Sequence, residues 1–157
     1  MEPRDLIVLS PCGAADPSLA IAACRAGACG AFDAEFSTTD TLRRALERLT
    51  RFAAGFGVQL RADAPDLLST ALAFQPAVVI FAGADHPALA EGVRAARASG
   101  AIVLREAVGV AEAARGVELG ADGVVLKGHE AGGRVGPSTS FVLIQQWRQH
   151  AARNAVR

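Results

Sequence analysis

Residues 126–136, LKGHEAGGRVG, crowd several kinds of chemistry into one short stretch. The apolar run Val124-Val125-Leu126 stops at Lys127, the only lysine in the chain. His129, Glu130 and the pair Gly132-Gly133 follow within six residues. An ammonium brings positive charge and three hydrogen-bond donors. An imidazole titrates near neutral pH. Paired glycines let backbone N–H groups come close to a ligand. Such a set at the end of an apolar run is a candidate ligand or catalytic loop.

The loop needs a frame, and the rest of the chain supplies a repeating one. Short apolar runs lie at 6–10, 30–36, 57–62, 77–83, 101–107 and 122–128. They start roughly every two dozen residues, a period suited to strand-plus-helix units. Each is apolar throughout, as for strands buried on both faces of a parallel sheet. The segments between them are amphipathic. Leu42, Ala45, Leu46 and Leu49 fall on one side of a helix whose start Thr39 or Asp40 would cap. Gly27, Gly100 and Gly120 sit where a left-handed residue closes a helix before the next strand. The β-α alternation predicts an α/β fold of parallel (β/α) units.

Polar residues collect where the apolar runs end: Ser10, Asp33, Glu35, Gln59, Arg61, Arg105, Glu106, Lys127, His129 and Glu130. Any one of them alone reads better as a loop residue meeting water. As a set they point to a site, because parallel β/α folds place sites at the carboxyl ends of their strands.

Composition narrows the function. The net charge is +0 and aromatic residues make up 5% of the chain, which argues against nucleic acid as a partner. No apolar run reaches the length of a membrane span. Cys12, Cys24 and Cys29 are odd in number and form no CxxC pair, so they read as reduced thiols in a cytoplasmic protein, and no His/Cys spacing suggests a metal. Cys12 lies just past the first strand, but nothing near it in sequence lowers its pKa. The first strand-helix turn, SPCGAADPS, lacks GxGxxG, and there is no P-loop. Of the two remaining folds, an open doubly wound sheet and a (β/α) barrel, a full barrel typically needs ~250 residues. The chain has 157, enough for about six units. The expectation is one partial barrel domain over residues 1–157, continued in a longer protein or completed by self-association or a partner, since open edges and apolar inner surface favour pairing.

The stretch GADGVVLKGHEAGGRVG resembles the sixth-strand signature of the nitronate monooxygenase family, formerly 2-nitropropane dioxygenases, whose superfamily includes the FMN-dependent enoyl-acyl-carrier-protein reductases. The matching parts are Gly120-Ala121-Asp122, Val124 to Leu126, Lys127-Gly128 and Glu130-Ala131-Gly132-Gly133. LIVLSPCG, LAIAACRAGACGAF and FGVQL are similar, in order, to earlier family segments. The resemblance implies an incomplete TIM barrel, with strands one to six present and strands seven and eight absent. It implies FMN as cofactor, with Gln59, Lys127 and Gly132 facing the flavin, Ser10 and Pro11 near its ring and Gly133 in the same loop.

One departure bears on mechanism. The family's histidine after Gly-Gly is Arg134 here. Arginine stays protonated, so it can anchor an anion but not act as a base. His129 is the alternative proton carrier, or a loop histidine facing water. His86 reads as a cap on the following helix or as water-facing. The implied activity is oxidation of an activated carbon acid or reduction of an enoyl thioester. The alternative is an impaired or architectural domain of a multienzyme such as a polyketide synthase.

Overall fold

The computed structural model describes residues 6–154. Six strands alternate with six helices: β1 (Ile7–Leu9), α1 (Ser18–Arg25), β2 (Cys29–Asp33), α2 (Thr39–Phe52), β3 (Gly57–Arg61), α3 (Pro65–Leu72), β4 (Val78–Ala82), α4 (Leu89–Ala98), β5 (Ile102–Ala107), α5 (Val110–Glu118), β6 (Gly123–Leu126) and α6 (Ser140–Arg153). The strands form one sheet in the order β1-β2-β3-β4-β5-β6, and every neighbouring pair is parallel. The sheet curls into an incomplete TIM-like barrel, so the predicted fold class holds.

Register decides which residues share the concave face. Asp33 lies opposite Gln59, Gln59 opposite Ile80, and Ile80 opposite Leu104. Glu106 lies opposite Val125. Side chains alternate between faces along a strand. Ala31, Val78 and Ile80, with Ile7, Leu9, Leu104 and Val125, therefore form a small inner cluster. Phe32, Val58, Leu60, Val79, Phe81 and Val103 point the other way, into the main core under the helices. The α2 helix adds Leu42, Ala45, Leu46 and Leu49 to that core, as its periodicity predicts. Fully burying one leucine contributes about 1.5–3 kcal/mol.

Local signals are met with small shifts. Gly27, Gly100 and Gly120 have φ of 90, 87 and 96°, the left-handed closures expected of them. The cap of α2 is Thr38, one residue earlier than expected, and its Oγ1 accepts from Thr41 N at 3.2 Å. The second strand ends at Asp33 rather than reaching 36, because Asp33 Oδ1 accepts from Glu35 N at 2.9 Å and turns the chain. The sheet edges are β1 and β6, and α6 buries only Leu143 while Phe141 is 72% exposed.

Gly30 sets how closely α1 approaches the sheet: a Cβ there would collide with the Ala20 backbone. Backbone cannot yield as a flexible side chain does, so Gly30→Ala is expected to cost about 3 kcal/mol, the upper part of the overpacking range. Urea unfolding of the two proteins checks this, and equal midpoints would contradict the packing described.

Candidate functional site

A cavity of about 660 Å³ opens at the carboxyl ends of the strands and runs down the concave face. That volume suits a small-molecule site. Ile7, Leu9, Ile80 and Val125 form its apolar wall. Ser10, Asp33, Glu35, Gln59, Arg61, Glu106 and Lys127 line its polar end. The sheet register brings these residues, which span more than a hundred positions in sequence, to one mouth.

The acidic side of the mouth is built on β2 and β3. Ser10 Oγ accepts from Asp33 N at 2.9 Å, which ties the end of β1 to the end of β2. Gln59 Nε2 donates to Glu35 Oε1 at 2.7 Å and to Asp33 Oδ2 at 3.3 Å. Gln59 thus holds two carboxylates with one amide. Burial pushes the Glu35 carboxyl above its ordinary pKa, and the negative charges of Asp33 and Glu106 push it further. Burial raises Asp33 as well, against the hydrogen bonds from Glu35 N and the Cys12 thiol and the charge of Lys127. Cys12 lines the cavity, but burial first, then Asp33 and Glu35, raise its thiol pKa, so it is not a primed nucleophile.

The opposite side is built on β5 and β6. Lys127 follows the last residue of β6, and its Nζ lies 3.2 Å from Glu106 Oε2. Glu106 is buried, at 1% exposure, and its Oε1 has no hydrogen-bond partner. The lysine side chain is 17% exposed, so it is not the solvent-facing strand end that its position allows. Its charge is compensated by Glu106. Gly132 and Gly133 close the mouth beside it. Gly133 has φ 73°, and a Cβ there would come within 3.4 Å of Lys127 Nζ, so the glycine keeps backbone rather than side chain against the ammonium.

Arg134 lines the cavity but already has an anion. Its Nη1 and Nη2 donate to Glu112 Oε1 and Oε2 at 2.9 and 2.7 Å, a bidentate pair. Burial alone would push Glu112 up. Hydrogen bonds from Arg134 and Val108 N, together with the guanidinium charge, outweigh it and hold the carboxyl below its ordinary value. Arg61 is likewise held by Asp63, with two contacts of 2.8 Å.

Other polar residues at the strand ends do different work. His129 is exposed and does not line the cavity, and neither does the exposed Pro11. Glu130 Oε1 accepts from Ser140 N at 2.8 Å and caps α6. His86 is exposed, the second of its two expected roles, and its Nδ1 accepts from Ala88 N at 3.2 Å in the turn before α4, which has no side-chain cap. Arg105 points to the outer face, where its guanidinium donates to Phe81 O and Gly83 O at 2.9 and 2.8 Å. Gly116 makes room for it, since a Cβ there would meet the Arg105 side chain at 2.6 Å. Among the described residues no group of three His, Cys, Asp or Glu side chains is placed to hold a metal ion, and no helix is long and apolar enough to cross a membrane.

Three cavity residues, Asp33, Glu35 and Glu106, were visible in sequence only as members of the polar set at the strand ends. Counting parity along each run back from its end separates Glu106, which faces the cavity, from Arg105, which does not.

No protein-family description matches the chain, and no curated protein matches it. Solved structures do. FabK from Thermotoga maritima superposes with a TM-score of 0.81 at 29% sequence identity, over 91% of this chain and 47% of that one. A mutant of the same protein gives the same score and identity over 49% of its chain. Nitroalkane oxidase from Streptomyces ansochromogenes superposes with a TM-score of 0.76 at 24% identity, over 91% of this chain and 55% of that one. The last likeness concerns the fold alone. The chain spans about half the length of each of these three structures, and it shares with them a half-barrel of parallel β/α units.

The raised carboxyls set a pH signature. Between their ordinary and raised pKa values the folded chain holds more protons than the unfolded one, so their contribution to stability is greatest at lower pH and is lost as pH rises through the raised values. Glu35→Gln removes one such group. Its melting temperature is expected to exceed that of the parent at about pH 7 and to fall less between about pH 4 and pH 7. Parallel melting curves across that range would contradict the placement of Glu35.

Proposed function

We propose that this chain forms the flavin-facing part of an FMN-dependent oxidoreductase barrel of the nitronate monooxygenase and enoyl reductase type. One observation carries the reading: a cavity of about 660 Å³ at the strand ends sets Lys127 beside Gly133, with Gly132 also lining it, in a fold shared with FabK. The bare glycine loop and the apolar wall of Ile7, Leu9, Ile80 and Val125 suit a flat, partly apolar ring. The same residues suit a phosphate poorly. All three cavity-lining cations are already paired, Lys127 with Glu106, Arg61 with Asp63 and Arg134 with Glu112.

Bound flavin would supply the two-electron chemistry. The chain's own residues would orient and tune it. Lys127 would place donors and partial charge against the ring, the wall would exclude water, and Glu35 and Asp33 would hold a proton near the mouth. Arg134 stays protonated and bound to Glu112, so it transfers no proton. Oxidation of an activated carbon acid and reduction of an enoyl thioester both fit this arrangement.

A second reading, a non-catalytic domain of a larger assembly such as a polyketide synthase, rests on a separate observation. Phe141, Val142 and Ile144 on α6 are exposed, and β1 and β6 are open edges. Such features favour burial against further β/α units, a second copy or a partner chain.

Flavin fluorescence quenching on the purified chain tests the first reading. FMN and riboflavin are expected to bind with affinities within about threefold of each other, because the ring and not the phosphate would be held. Glu106→Gln frees the ammonium and is expected to tighten binding, while the double change Lys127→Met with Glu106→Gln weakens it about tenfold. Failure of both flavins to bind would overturn the flavin reading and favour the architectural one.

A further inference from the structure

The connection from β6 to α6, residues 127–139, is fixed at its ends and not in its middle. Lys127 N donates to Ala107 O at 2.9 Å, and His129 N donates to Ser138 O at 2.8 Å. Gly128 N donates to Ser140 Oγ at 3.1 Å. Between these ties, residues 132–137 make no backbone hydrogen bond among the described residues. A segment whose backbone is left to water has little to keep it in one place. Yet this segment carries Gly132 and Gly133, which line the cavity.

Two contacts restrain the segment, and both run to the β5–α5 junction. Gly136 packs on Val108 O so closely that a Cβ would collide with it. Arg134 sends Nη1 and Nη2 to the two carboxylate oxygens of Glu112. The far end of that pair is anchored in turn. Glu112 stands in the first turn of α5, and its Oε2 also accepts from Val108 N at 3.1 Å. One carboxylate thus joins the start of α5, the chain just past β5 and the glycine loop. The Arg134 and Glu112 side chains are only 29% and 21% exposed, so solvent screens the pair less than it would a surface pair. A planar guanidinium on a carboxylate fixes orientation as well as distance.

We propose that Arg134 and Glu112 are positioning residues, whose pair clasps the glycine loop to α5 and so holds Gly132 and Gly133 against a ligand in the cavity. The clasp slows the ligand's departure through the mouth. Arg134 acts here through its own loop backbone, not by giving or taking a proton. This deepens the proposed function at the same site, and it rests on that reading in taking the ligand as flavin. The clasp residues are separate from the apolar wall given to the ring, so the two roles are compatible.

The test has two readouts on the full chain. The first is the ¹⁵N order parameter of the Gly132 and Gly133 amides without flavin. The second is the rate at which bound FMN dissociates, followed by stopped-flow fluorescence. Glu112→Gln and Arg134→Gln are each expected to lower the loop order parameters from about 0.85 to below about 0.6 and to leave those of Asp33 and Gln59 unchanged. Each is expected to speed FMN dissociation about tenfold, the worth of a hydrogen-bonded charge pair. The double variant should be no faster than either single one, because both remove the same contact. Arg134→Lys keeps the charge without the bidentate fork, and its expected effect lies between parent and Arg134→Gln, which keeps the test decisive if a glutamine variant does not fold. An equally ordered loop in every variant, loosening that spreads to Asp33 and Gln59, additive effects on dissociation, or a loosened loop with unchanged dissociation would each overturn the proposal. If the parent binds no FMN, the flavin reading falls by itself, and the order parameters still decide whether the clasp exists.

Discussion

A carboxylate buried in a sheet needs a cation beside it, and Glu106 has one: Lys127, reached across the β5–β6 pairing. Removing one member of such a pair leaves an uncompensated buried charge, a loss of about 3–5 kcal/mol. The pair therefore constrains more than local electrostatics. It ties the end of β6 to β5, directs the lysine inward and fixes where the chain leaves the sheet. Gly133 then lies against the ammonium with no side chain in between. The same constraint keeps the only lysine from being a free positive charge. Across the mouth lie Asp33 and Glu35, whose carboxyls burial raises above their ordinary values while the Lys127 charge pulls them back.

Parallel register makes this gathering possible. In each strand the residue that faces the cavity is set by parity, so Asp33, Gln59 and Glu106 reach one mouth from three strands. Arg105, one residue before Glu106, is sent to the outer face, where it binds the carbonyls of Phe81 and Gly83 and so holds the turn after β4. Adjacent charged residues thus do unrelated work. One faces ligand space; the other braces the wall that bounds it.

The fold was legible in the sequence because its signals are local. Fully apolar runs at a regular period, glycines closing three helices and the Leu42-Leu46-Leu49 stripe each follow from short-range chemistry, and each appears as expected. The site was legible only in part. Lys127, Gly132 and Gly133 announced themselves as a dense motif, and Ser10 and Gln59 lie with them at the cavity. Partnering was not legible. That Arg134 is held by Glu112 depends on contact across 22 positions, and that Glu106 takes the charge of Lys127 depends on contact across 21. Glu130 looks like a site residue in the motif, yet it serves as a cap because Ser140 N happens to lie 2.8 Å from it. Residue type and spacing show which groups can do chemistry. Only the packed neighbours show which are still free to do it.

Since Lys127 is the only lysine, lysine-specific ¹⁵N labelling yields a single side-chain ammonium signal. Its shift and its rate of hydrogen exchange with water report directly whether the charge is engaged. An ammonium protected from exchange, whose signal moves and loses protection in Glu106→Gln, is the expected result. A rapidly exchanging signal that is the same in both proteins would mean that the pair is absent, and with it the electrostatic basis of the cavity described above.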